Sequence, residues 1–218
     1  MFSVLLFLVH TIVVAEAALK QLNQSIVPAL FAFGDSLMDP GNNNLLPTVA
    51  RSNFPPYGRD FLTRTPTGRF SNGKIATDFI VSELGIKELL PAYLDPDLKP
   101  QDLVTGVSFA SAGTGFDSLT AKTLSVISME EQLEMFKEYK KKLESIAGVE
   151  RAAKLISKSA YVVCAGNNDL VDTYYGSLLR SSEYDLPSYV RLLIQTASAF
   201  LQVFEDTRTT NTGRALNS

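Results

Sequence analysis

The stretch VPALFAFGD, residues Val27 to Asp35, decides the fold class. It is a continuous apolar run closed by a glycine. A strand with one wet face would alternate apolar and polar side chains. This run does not, so it reads as a strand buried on both faces, the pattern of a parallel sheet. It leads directly into GDSLMDPGNNN, residues 34–44, a serine followed by an asparagine-rich turn. Gly34 allows a sharp turn and lets Ser36 project from the strand end. A serine placed there is a candidate nucleophile, and a neutral hydroxyl needs a base. The usual base is histidine, and the chain contains one, His10.

Two more apolar runs end in small residues, one within DLVTGVSFASAG (102–113) and one in AYVVCAG (160–166). Helical spacing separates and follows them. KIATDFIVSELG (74–85) is apolar at 75, 76, 79, 80 and 84, with Gly85 as its C-terminal stop. SMEEQLEMFKEYKKKLESIAG (128–148) carries a Ser128/Glu131 capping box and an apolar stripe at 129, 133, 136, 139, 143 and 146. Its Lys140–Lys142 run reads as a solvated face. LPSYVRLLIQTASAFLQVFED (186–206) is a further amphipathic helix, and residues 207–218 are polar, without periodicity, and read as disordered. The loop from Pro40 to Gly73 is long enough to form a functional rim. Strands alternating with helices predict a parallel α/β sheet. Active sites in such sheets form outside the carboxyl ends of the strands. The turns GDS, SAG and GNND should therefore share one cleft.

Gly113 permits close backbone approach, so its N–H is a candidate oxyanion donor; an ordinary glycine loop is the other reading. Asn168 can donate from an uncharged side chain to the same oxyanion, or can simply form an Asx turn. The Gly113-Thr114-Gly115 turn lacks the spacing of a dinucleotide or phosphate loop, which argues against a nucleotide-binding module. Asp35 and Asp39 lie near Ser36, but a carboxylate of ordinary pKa, about 4, accepts a serine proton poorly. Lys74 would serve only as a Ser-Lys pair. Cys164 is the sole cysteine, so no internal disulfide forms, and its setting reads as a small core residue. One histidine and one cysteine so far apart do not make a metal site. No cofactor is expected.

The chain has 218 residues, 45% of them hydrophobic, with net charge −3. A weakly acidic chain with scattered charges leaves no footprint for nucleic acid or an anionic membrane. Val4–Val14 form a short apolar run before Ala15-Glu16-Ala17, which reads as a signal peptide, residues 1–17. Its cleavage removes Glu16 and changes the net charge from −3 to −2. Asn23 begins an N-glycosylation sequon. Both features predict a secreted, extracellular protein with no integral membrane segment.

Four blocks, FAFGDSLMDPGNNN, TPTGRFSNGKIATDF, GVSFASAGTGFD and AGNND, occur in this order between about Pro28 and Glu205. Together they resemble the plant GDSL esterase/lipase family of the SGNH hydrolase group. The resemblance implies a flavodoxin-like three-layer α/β/α sandwich with five parallel strands. It also implies hydrolysis of carboxylic esters of lipids or acylated small molecules. On this sequence it places the nucleophile at Ser36, and the oxyanion hole at the N–H groups of Ser36 and Gly113 and the side chain of Asn168. Ser108 stands where family members usually carry asparagine. The family's Asp-x-x-His block, which supplies the catalytic Asp and His, has no counterpart here. The expectation is an incomplete hydrolase domain over 27–206, its C-terminal strands missing, with a divergent tail at 207–218. Such a chain should be marginally folded and have little or no esterase activity. The alternative is a non-catalytic remnant that binds a ligand or partner through the surviving cleft.

Overall fold

A computed structural model describes residues 27–210. Its sheet centres on β1 (Leu30–Gly34), which pairs in parallel with β2 (Ala160–Cys164), Leu30 opposite Ala160 and Gly34 opposite Cys164. On the other side of β1 runs the segment 105–111. The N–H groups of Leu30 and Ala32 reach Thr105 and Val107 at 3.4 and 3.3 Å, and those of Phe109 and Ser111 return to Ala32 and Gly34 at 2.8 Å. The expected second strand is thus an extended segment whose regular pairing with β1 reduces to a bridge at Ala32 and Ser108. Its first bonds to β1 are long. On its far side it meets Pro91, which accepts from Ser108 N–H but has no N–H to return.

The strand side chains alternate between two cores, which is why β1 shows no polar position. Phe31, Phe33 and Phe109 pack with Leu133, Phe136, Tyr139 and Leu143 of α4 (Met129–Ala147), Ala152 and Ile156 of α5 (Val149–Lys158), and Phe200 and Phe204 of α6 (Leu186–Thr209). Leu30, Ala32 and Ala110 face Val81 of α1 (Ala76–Glu83) and Leu90. Helices therefore cover both faces, giving the α/β/α arrangement. Two short helices, α2 (Pro100–Leu103) and α3 (Ser118–Leu124), lie in the connections. Phe33 and Phe109 stack at 5.1 Å between centroids, and Phe31 meets Tyr139 edge-on at 5.1 Å. Each buried aromatic contributes about 1.5–3 kcal/mol of transfer free energy.

The helix α4 begins as its sequence dictates. Ser128 Oγ accepts from Glu131 N–H at 3.2 Å, and Glu131 accepts from Ser128 N–H at 2.7 Å. The stripe 129, 133, 136, 139 and 143 is buried, while Ile146 in the last turn is exposed. In the Lys140–Lys142 run, Lys141 and Lys142 are exposed as the solvated-face reading expects, and Lys140 departs from it. Lys140 is buried, its ammonium donating to the Thr207 and Thr210 carbonyls at the end of α6. Lys142 lies over the Tyr93 ring, 4.7 Å from its centroid. The reason is the last turn of α6, whose carbonyls have no helical partner and dock on α4. That helix continues three residues past Asp206, and Thr207 is buried. Residues 207–210 thus belong to the folded body, whereas 211–218 lie outside the described residues. Cys164, expected in the core, is only half-buried because β2 is paired on one side alone among the described residues.

The Pro40–Gly73 loop is fastened by charge. Arg69 forms a bidentate pair with Asp78 of α1 at 2.8 and 2.9 Å and donates to the Leu90 carbonyl at 2.9 Å, both side chains being buried. Asp78 also accepts from the N–H groups of Ile75 and Leu90. The motif TPTGRFSNGKIATDF therefore contains a structural ion pair. No helix among the described residues is long and apolar enough to cross a membrane.

Candidate active site

The end of β1 is shaped around Gly34. Its φ is +129°, and a Cβ there would lie 1.9 Å from the Cys164 carbonyl oxygen, so only glycine fits. The Gln132 side chain reaches across from α4, accepting from Gly34 N–H at 2.8 Å and donating to its carbonyl at 3.0 Å. Asp35 N–H bonds Cys164 O at 3.0 Å, and the Asp35 carboxylate accepts from Leu37 N–H. Burial raises the Asp35 pKa above the ordinary carboxylate range, against that hydrogen bond. Ser36 follows, half-buried. Among the described residues neither its hydroxyl nor its N–H has a hydrogen-bond partner.

The turn after Ser36 is bolted to the 108–112 segment. Asp39, fully buried, accepts from Gly41 and Asn42 N–H at 2.7 Å on one oxygen and from Ala112 N–H at 3.0 Å on the other. Burial lifts its pKa to about 6 despite these donors. Asn42 donates to the Ser108 and Ala110 carbonyls and accepts from Leu94 N–H. Asn43 donates to Ala50 and Ala112 carbonyls and accepts from the Ser111 hydroxyl. Ser108, in the position where asparagine was the family expectation, donates its hydroxyl to Met38 O at 2.7 Å and accepts from Ala110 N–H. Gly113 comes next, at φ +87°, a conformation that favours glycine. Its N–H has no partner among the described residues.

The third loop leaves β2 through Gly166 and enters a π-helical turn, Asp169–Gly176. Asn168 Nδ2 donates to Thr114 O at 2.9 Å. An amide nitrogen carries two protons, so one remains. Asp169 is fully buried and accepts from Phe116 N–H (2.8 Å), Asp117 N–H (3.1 Å) and Thr120 Oγ (2.6 Å). Burial raises its pKa, ahead of those hydrogen bonds, which lower it. Burial pushes Asp117 upward, but the Arg180 guanidinium, the Leu119 N–H and the Tyr189 hydroxyl together hold that carboxyl below the ordinary range. Arg180 binds both Asp117 oxygens, at 2.7 and 3.0 Å, and Tyr189 OH adds a bond at 3.1 Å.

Ser36, Gly113 and Asn168 thus lie on three loops at the carboxyl end of the sheet, joined by these bonds. Among the described residues none of the other candidate bases, Asp35, Asp39 or Lys74, bonds the Ser36 hydroxyl. Both Asp39 oxygens accept backbone N–H groups, and Lys74 Nζ lies 3.6 Å from Glu88. No histidine occurs in residues 27–210, and His10, Asn23 and residues 1–17 lie outside the described residues. The positioning groups Gln132, Asn42, Asn43 and Asp169 were not singled out from the sequence. Gln132 had a signal: it is a polar side chain beside Met129, Leu133 and Phe136 on the inward stripe of α4.

The chain matches the family model of the GDSL-like lipases/acylhydrolases over residues 30–216, beyond the Glu205 limit expected from the motif blocks. It belongs to this family. GDSL esterase/lipase At3g14820 of Arabidopsis thaliana is 49% identical over 187 residues, which is 86% of this chain and 52% of that protein. Another Arabidopsis thaliana relative, GDSL esterase/lipase At3g43570, is 46% identical over 199 residues, 91% of this chain and 61% of that protein. The chain spans about half the length of the curated relatives it matches. No solved structure gave a significant match. Within this GDSL-family chain, the first, third and fourth sequence blocks converge on the carboxyl end of the sheet, and the second anchors the intervening loop.

Proposed function

We propose that Ser36 is the nucleophile of a carboxylic-ester hydrolase, and that its N–H, the Gly113 N–H and the second Nδ2 proton of Asn168 form the oxyanion hole. One observation carries this reading. Around Ser36, the N–H groups of Asp35, Leu37 and Met38 all have acceptors, and so do those of Ala112 and Thr114 around Gly113. Within 35–38 and 112–114, the two N–H groups without acceptors are those an oxyanion would need. In the reaction, Ser36 Oγ attacks the ester carbonyl, whose oxygen becomes an anion and accepts from these donors. The alkoxide leaves as the acyl-enzyme forms and takes up, through solvent, the proton Ser36 gives up, and water then hydrolyses the acyl-enzyme to the free acid. The serine proton must pass to a base, and residues 27–210 contain no imidazole. A serine hydrolase without its histidine, such as subtilisin, retains only about 10³–10⁴-fold over water. That residual scale is the rate enhancement proposed for residues 27–210 acting without an imidazole.

An alkyl fluorophosphonate followed by peptide mass spectrometry tests the assignment. A slow adduct is expected on Ser36, absent from Ser36→Ala and formed roughly a hundredfold more slowly in Asn168→Ala, the scale of one lost oxyanion donor. An adduct on another residue, or one indifferent to Asn168, overturns it. The substrate class proposed is an ester of a lipid or an acylated small molecule. We infer that the protein is secreted, from the Val4–Val14 apolar run, the Ala15-Glu16-Ala17 cleavage pattern after it and the sequon at Asn23. A glycosidase-sensitive mass on the exported chain, lost in Asn23→Gln, is the expected result.

A further inference from the structure

The loop of residues 49–65 combines apolar tips with unpaired positive charge. Leu62 is fully exposed, at 105% of its reference area, Val49 is 87% exposed and Phe54 is 50% exposed. The same seventeen residues hold Arg51, Arg59 and Arg64 against a single carboxylate, Asp60, in a chain whose overall charge is −3. Asp60 sits 3.8 Å from Arg59, both exposed. Arg51 and Arg64 have no carboxylate partner among the described residues.

This projection is built rather than loose. Gly58 N–H bonds Ser71 O at 3.0 Å, Asp60 N–H bonds Asn72 O at 2.7 Å, and Phe61 N–H bonds Gly58 O at 3.1 Å. Phe54 packs edge-on to Tyr57 at 5.4 Å, and Tyr57 to Phe70 at 5.8 Å. Its base adjoins the candidate site, since Asn43 joins the Ala50 carbonyl to that of Ala112, beside Gly113. A single exposed leucine needs no explanation. A rigid loop carrying exposed leucine, phenylalanine and valine together with excess arginine matches a surface that is apolar beneath and anionic on top. That is the chemistry of an anionic lipid bilayer.

We propose that loop 49–65 docks the protein on an anionic lipid surface, with Leu62, Phe54 and Val49 entering the acyl boundary and Arg51, Arg59 and Arg64 meeting the headgroups. The whole-chain net charge conceals this local excess, which is why composition pointed away from membranes. The proposal does not depend on Ser36 acting as a nucleophile.

Co-sedimentation of the full chain with vesicles tests it, using phosphatidylcholine alone and phosphatidylcholine mixed with phosphatidylglycerol. Binding is expected on the mixed vesicles and far less on the neutral ones, and it should weaken with added salt. Replacing Arg51 or Arg64 by glutamine should weaken it about fivefold each. Leu62→Ser should weaken it roughly tenfold. All three positions are exposed, and circular dichroism checks that each variant folds. Ser36→Ala should bind like the parent, which separates this result from the catalytic assignment. Absence of binding, binding unchanged by the Leu62 and arginine substitutions, or equal binding to neutral vesicles overturns the proposal.

Discussion

β1 and β2 are both five-residue apolar strands, LFAFG and AYVVC, paired in register over their full length. Every residue of β1 is buried, and every residue of β2 is half-buried. Composition does not explain this, since both would satisfy any test for a core strand. Position does. β1 has a neighbour on each side, segment 105–111 and β2, and helices on both faces. β2 has β1 on one side, and no described segment pairs with its outer edge. In a parallel ladder alternate residues bond to opposite neighbours. Ala160 N–H bonds toward β1, so Tyr161 and Val163 direct their N–H and C=O groups away from it. One hydrophobic run thus acts as the mechanical centre of the domain and the other as its margin.

Truncating one side chain in each strand tests that contrast most severely. Phe31→Ala removes a ring that touches Phe109, Phe136, Tyr139 and Tyr161. It should cost about 3–5 kcal/mol in urea unfolding, enough to abolish a cooperative transition in a domain of ordinary stability. Val163→Ala should cost about 1 kcal/mol, because much of that side chain is already wet. Equal losses at the two positions would break the comparison.

A smaller effect is expected at the turn that follows β1. In Asp39→Asn the carbonyl oxygen can still accept from Gly41 and Asn42, but the amide NH₂ then faces the Ala112 N–H. The cost should be about 1–3 kcal/mol. The pH dependence identifies the residue. The folded value of Asp39 is about 6, above its ordinary 3.8, because burial favours the protonated form. Its contribution to stability is therefore fully present below pH 3.8 and is lost as pH rises through 6. Asparagine does not titrate, so the parent should gain stability relative to the variant on acidification from pH 7 to about 4. Urea midpoints measured in parallel for the two proteins check this. A difference that stays constant with pH would mean that Asp39 titrates alike in the folded and unfolded chains.

What the sequence disclosed, and what it did not, follows the range of the interactions. The Ser128/Glu131 cap was legible because both partners lie within one turn. The double burial of β1 was legible because its alternate residues fill two separate cores and leave no polar position. The half-burial of β2 was not, because it depends on which segment lies beside Tyr161 and Val163. The asparagine-rich turn read only as a turn, since the carbonyls that Asn42 and Asn43 bind on 108–112 are 66 to 69 residues away. Asp39 was weighed only as a poor base; its role in holding Ala112, 73 residues on, needed the fold. Ser36, Gly113 and Asn168 were singled out as candidates at the ends of three apolar runs and then by motif order, while the Gln132 and Asp169 supports lie outside what such motifs explain.

Lys140 offers the finest adjustment of the contrast, because the turn it fixes meets β2 through Arg208, while Phe204, one turn earlier, packs on Tyr161 of β2 and on Phe33 of β1. Its ammonium holds the Thr207 and Thr210 carbonyls, fixing the last turn of α6. That turn carries Arg208, which lies 6.0 Å from the Tyr161 ring, and Phe204, one turn earlier, meets the same ring at 5.1 Å. Lys140→Met keeps the buried stem but removes the charge-assisted donor, so the helix end loses its cap and little packing. The expected cost is about 1 kcal/mol. Most of the change should appear locally, as faster amide exchange in the last turn of α6 and at Tyr161 and Val163, with β1 amides unchanged. If β1 amides accelerated by the same factor, the two strands would open as one unit, and β2 would no longer be a separate margin.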